Sequence, residues 1–84
     1  MTDVIERDSA TPIYQQLEDI FHAKIASGEW APEQRIPSEN ELNREYSLSR
    51  MTIRGVLNKL AGEGLLIRVP GKGTFVAPQK INAV

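Results

Sequence analysis

The chain has 84 residues, enough for one small domain with a modest core. Forty per cent of the residues are hydrophobic, a quarter are charged and none is cysteine, which describes a globular domain without disulfides or thiolate metal sites and suits a reducing compartment. The net charge of −1 is split unevenly: residues 1–49 carry 4 Lys/Arg against 10 Asp/Glu, whereas residues 50–84 carry 6 against one, so a balance of −6 precedes one of +5 and points to a single basic face.

Residues 1–10, "MTDVIERDSA", are polar and read as a flexible arm. They lack the apolar h-region of a signal peptide, and no later run approaches the ~18 apolar residues that span a membrane, so a cytoplasmic protein without membrane contact is expected. Thr11-Pro12 supplies a capping hydroxyl and a proline for the first helical position. Ile13, Leu17, Ile20, Phe21 and Ile25 then recur at three- and four-residue spacing, and Gly28 closes this first helix. His22 is the only histidine; with no second histidine or cysteine to share a metal, it reads as a surface or half-buried residue.

Arg35-Ile36 precedes Pro37, which favours extended backbone and a very short strand. Ser38 and Glu41 form a capping box that opens a short second helix with Leu42 and Tyr46 inward. "YSLS" breaks it, and Ser49 caps a third helix over 50–63. Leu48 and Ile53 are placed to staple its start, and Ile53, Val56, Leu57 and Leu60 make its buried stripe. Two short helices joined by a tight turn make a helix-turn-helix, although the turn lacks the glycine often found there. In "LLIRVPGKGTFVAP", Pro70-Gly71 suits the centre of a type II turn between two strands, with Lys72 at the tip of the hairpin.

Catalytic patterns fail. "GKGT" lies between two strands, without the strand and helix that frame a phosphate loop, and no serine elbow accompanies His22. The third helix is more telling. Opposite its stripe lie Arg50, Met51, Arg54, Gly55 and Asn58, with Thr52 beside Ser49 in the first turn. Arginines near a helix N-terminus oppose the helix dipole at roughly 0.3–1 kcal/mol each. A docked polyanion removes that objection, and arginine forks, hydroxyls and an amide suit phosphates and base edges. A helix-turn-helix followed by a glycine-rich, lysine-tipped hairpin is a winged helix-turn-helix: an α+β domain of three helices with a C-terminal β-hairpin wing. A protein-interaction module would instead need an apolar face on the third helix, and an RNA binder would need exposed aromatics.

The ordered segments "PIYQQLEDIFHAKIASGEW", "RIPSENEL", "SRMTIRGVLNKLAGEGLL" and "GKGTFV" resemble the N-terminal domain of the GntR family of bacterial transcription regulators, and its HutC-like branch most. The resemblance covers residues 12–76. It implies double-stranded DNA as partner, bound at an inverted-repeat operator by a homodimer, usually as a repressor. It also implies that Arg50 reads a guanine, that Ser49, Thr52 and Arg54 hold phosphates, and that Gly71 enters the minor groove with Lys72, Gly73 and Thr74 around it. Ser38 caps its helix near the backbone. Asn40 departs from the arginine often found after P-S-E, so its reach to a base or phosphate is shorter. No cofactor or metal is implied. The expected division is an arm over 1–10, a DNA-binding domain over 11–77, and over 78–84 the start of a linker to an effector-binding domain, without which self-association is weak or absent.

Overall fold

In the computed structural model residues 4–78 are described. They form helices α1 (Ile13–Ser27), α2 (Glu39–Tyr46) and α3 (Arg50–Gly62), followed by strands β1 (Leu66–Val69) and β2 (Gly73–Val76). This is the winged helix-turn-helix expected from the sequence. Residues 79–84, which hold nearly all of the expected linker, lie outside the described residues, as do the first three residues of the arm.

The stripe on α1 does what its spacing predicts: Leu17, Ile20, Phe21 and Ile25 are buried, and Gly28 closes the helix in the left-handed region at φ 86°. The start differs. Pro12 is the N-cap itself, with extended backbone (φ −56°, ψ 145°), and no side chain caps the helix. Gln16 replaces the expected Thr11 hydroxyl as the organising group. Its Nε2 donates to the carbonyls of Glu6 and Thr11, both at 2.8 Å, and its Oε1 accepts the Glu6 N–H at 2.7 Å. The segment expected as a flexible arm is thereby tied to α1.

Ahead of α2, the strand expected at 35–36 is a single bridge from Arg35 to Phe75. The Ile36 N–H donates to the Thr74 carbonyl at 2.9 Å, and Pro37, having no N–H, cannot extend the pairing. Ser38 then closes the capping box in full, accepting from the Glu41 N–H while the Glu41 carboxylate accepts from the Ser38 N–H at 2.8 Å. In the turn between α2 and α3, Ser47 takes the left-handed conformation (φ 55°) that glycine usually supplies. Arg7 Nη2 donates to the Ser47 carbonyl at 2.8 Å, and Asn43 Nδ2 donates to the Leu48 carbonyl. Arg7 therefore fastens the N-terminal segment to the same turn.

Ser49 caps α3, accepting from the Thr52 N–H at 3.2 Å. Leu48, Ile53, Val56, Leu57 and Leu60 are buried against α1 and Leu42, each contributing about 1.5–3 kcal/mol of hydrophobic stabilisation. Trp30 and Tyr46 flank Phe21, with ring centroids at 4.9 and 5.9 Å, so both belong to the core. The hairpin pairs Leu66 with Val76 and Val69 with Gly73. Leu66 and Val76 face inward, while Ile67 points to solvent. Its turn is the one the sequence proposes: the Lys72 N–H donates to the Val69 carbonyl at 3.0 Å, and Gly71 has φ 77°.

Candidate nucleic-acid interface

The N-terminal ends of α2 and α3 open onto one side of the molecule, and the wing rises beside them. Between them lies a cleft of about 630 Å³. Eight of the expected site residues line it: Ser38 and Asn40 from α2 and its cap, Arg50 and Arg54 from α3, and Gly71, Lys72, Gly73 and Thr74 from the wing. Ser49, Met51, Thr52 and Asn58 lie outside that lining. Ser49 and Thr52 are occupied with each other, their hydroxyl oxygens 3.0 Å apart at the start of α3. Met51 and Asn58 are exposed on the outer face of that helix, Met51 to 83%. Gly55 does not belong to this face: it lies against Tyr14 of α1, whose Cε2 would be 3.8 Å from an added Cβ.

Of the five other lining residues, three are charged and carry no role in the sequence reading. Arg35, Glu39 and Arg68 all border the cleft. Five cations, Arg35, Arg50, Arg54, Arg68 and Lys72, therefore share it with a single carboxylate. Arg35 comes from the acidic half of the chain, where charge counting offered no reason to look. Conversely, Lys59 belongs to the basic half but is used elsewhere: its ammonium lies 3.0 Å from Glu18 on α1, and that pairing raises its pKa.

The arginines differ in their partners. Arg50 makes no hydrogen bond or ion pair among the described residues, so its fork is available. Arg54 is held by Glu39, with Nη2 at 3.0 Å and Nε at 3.2 Å from Oε1. Arg68 Nη2 donates to the other oxygen of the same carboxylate. The hydrogen bond from Arg54, reinforced by Arg68, holds Glu39 below the usual carboxylate range in spite of partial burial, and the same pair raises Arg54. Glu39 is thus ionised at neutral pH and part of the site's electrostatics.

Away from the cleft, His22 is half-exposed, as expected, but has carboxylate neighbours. Its Nε2 lies 3.2 Å from Glu63 and 3.7 Å from Glu18. Their donor atoms could converge on an ion. However, Lys59 already sits against Glu18, supplying the positive charge there.

The family profile described as "Bacterial regulatory proteins, gntR family" matches residues 13–76. The chain is 47% identical over 74 residues to a histidine utilization repressor of Klebsiella aerogenes, covering 88% of this chain and 31% of that protein. It is 42% identical over 78 residues to the HTH-type transcriptional repressor NagR of Bacillus subtilis, covering 93% and 32%. It therefore spans about a third of the length of these relatives. Among solved structures, the AraR DNA-binding domain in complex with operator ORX1 superposes with TM-score 0.77 at 43% identity, over 80% of this chain and 81% of that one. YtrA from Sulfolobus acidocaldarius, a GntR-family transcription factor, superposes with TM-score 0.78 at 31% identity, over 93% and 66%. No helix of the described residues is long and apolar enough to cross a membrane.

Proposed function

This chain belongs to the GntR family of bacterial regulatory proteins, and we propose that it is the part of a cytoplasmic transcriptional repressor that binds double-stranded operator DNA in a sequence-specific manner. The observation that carries this reading is the cleft: five cations lie between the starts of two helices and a glycine-tipped wing. Polyanion binding explains why Arg50, at a helix N-terminus, has no partner among the described residues, and the operator-bound AraR domain shares this fold.

Arg50 at the start of α3 reads a guanine in the major groove. Arg54, Ser49 and Thr52 hold phosphates, Gly71 brings the wing backbone into the minor groove, and Lys72, Gly73 and Thr74 flank the strand. Met51 and Asn58 face the groove wall, and Ser38 and Asn40 meet the backbone beside α2. The domain over 11–77 acts as half of a homodimer on an inverted repeat, and residues 78–84 lead to an effector-binding domain. The reading as a protein-interaction module loses its main support, because Met51 is the only large apolar side chain on the exposed face of α3.

The test is selection of bound sites from a random duplex pool, followed by titration of the recovered sequence. Recovery of an inverted repeat bound at least about a thousandfold more tightly than scrambled DNA is expected. Recovery of unrelated sequences with equal affinity would refute the reading.

A further inference from the structure

We propose that Glu18 and His22 of α1, together with Glu63 at the end of α3, form a binding site for a divalent transition-metal ion of the zinc class. The site is separate from the DNA-binding reading, since none of the three residues lines the cleft. Glu18 and His22 stand one turn apart on the same face of α1. Glu63 is the C-cap of α3, where its N–H donates to the Lys59 carbonyl at 3.0 Å. One ligand atom from each residue lies within 4.8 Å of the other two. His22 Nε2 is 3.2 Å from Glu63 Oε1 and 3.7 Å from Glu18 Oε2. Ligands of a tetrahedral zinc ion, at bonds of about 2.0–2.2 Å, stand about 3.3–3.6 Å apart. The three residues therefore need little movement to close on an ion, and a turn of the half-exposed Glu63 carboxylate supplies it.

The imidazole gives a second, independent observation. The His22 side chain is 43% exposed, yet its Nε2 is shut off from solvent and has no hydrogen-bond partner among the described residues. The Glu63 oxygen is near enough to be one but stands out of line with a ring N–H. A buried nitrogen left in that state costs free energy, and an ion that takes its lone pair, with the proton on Nδ1, removes the cost. The C-terminal end of α3 favours a cation at the same place. Lys59 opposes it. Its ammonium lies 3.1 Å from Glu18 Oε1 and 3.0 Å from Oε2. The lysine is half-exposed and can keep Oε1 while Oε2 turns to the ion. Lys59 thus neutralises Glu18 when no ion is bound and lowers the affinity of the site for one.

The experiment titrates the 84-residue chain with zinc chloride by calorimetry and with cobalt(II) chloride by visible absorption, in a buffer that binds neither metal. The expected result is one ion per chain, a cobalt absorption stronger than that of the aqueous ion, and a Tm raised by several degrees in excess zinc. His22→Ala and Glu63→Gln, both at half-exposed positions, should each weaken binding by at least about tenfold and remove the Tm shift. Lys59→Met, which keeps bulk and removes the ammonium, should tighten binding by about tenfold. Absence of one-to-one binding, or unchanged affinity in either ligand variant, would overturn the site and leave the DNA-binding reading untouched. A Lys59→Met variant that binds no more tightly would overturn the opposition assigned to Lys59.

Discussion

Gly73 and Arg35 are packed so closely that a Cβ on the glycine would lie 2.7 Å from the arginine Nε. Gly73 also has φ 123°, outside the range of ordinary L-residues. The two constraints separate experimentally. The guanidinium is the far end of a flexible side chain and can move, whereas the backbone angle cannot change without breaking the pairing of Val69 with Gly73. Gly73→Ala is therefore expected to destabilise the domain by about 1–3 kcal/mol in chemical denaturation. Adding Arg35→Ala should restore little of that loss. Full rescue by the second substitution would show that the clash, and not the backbone, sets the cost.

Arg50 and Lys72 should fail differently when removed. Arg50 has no partner among the described residues at the N-terminus of α3, and Lys72 sits at the wing tip. Arg50→Ala is expected to cost about 1–3 kcal/mol of operator affinity and to relax the base preference at one position per half-site. Lys72→Ala should weaken binding evenly across sequences and reduce the salt slope by about one. Titration of singly substituted operators at several salt concentrations distinguishes the two. An Arg50→Ala variant with unaltered base preference would remove that residue from base reading.

The capping box gives a pH prediction. Hydrogen bonds from the backbone and hydroxyl of Ser38 hold the Glu41 carboxyl below its ordinary value of 4.5. A carboxyl lowered in the folded state stabilises the fold above its unfolded value, and the contribution is lost as pH falls through the folded one. The difference in Tm between the native domain and Glu41→Gln is thus expected to be positive at pH 6 and to close as pH falls below 4.5. Ser38→Ala should cost about 1 kcal/mol at neutral pH through loss of the helix cap. A pH-independent difference for Glu41→Gln would mean that its charge has no part in the cap.

Much of this fold was legible because its signals are local. Ser38 with Glu41, Ser49 with Thr52, Gly28, and Pro70 with Gly71 each act within a few residues, and each occurs where the sequence places it. The cleft was legible only in part. Arg50, Lys72 and the wing glycines announce themselves by position, but Arg35, Glu39 and Arg68 matter because the bridge from Arg35 to Phe75 and the hairpin bring distant residues together. Counting charge by halves of the chain hid this, since Arg35 joins the cleft from the acidic half and Lys59 leaves it for Glu18. The start of α1 was misjudged for a related reason: Gln16 reaches ten positions back to Glu6, beyond the span of a local capping rule.

The turn between α2 and α3 contains the remaining prediction. It has no glycine, and Ser47 carries the strain instead, at φ 55°. A left-handed conformation costs a non-glycine residue roughly 1–2 kcal/mol, partly offset because glycine loses more backbone freedom on folding. The Ser47 contact recorded at this turn uses its carbonyl, which accepts from Arg7, and any residue supplies a carbonyl. Ser47→Gly is therefore expected to stabilise the domain by about 0.5–1 kcal/mol, raising Tm by a few degrees. Arg7→Ala should act in the opposite direction, by about 0.5–1.5 kcal/mol, because the Ser47 carbonyl loses a charged donor. Thermal melts of both single variants and of the pair provide the check. If the glycine variant is less stable than the native domain, the serine hydroxyl has a role in the turn beyond its backbone angle.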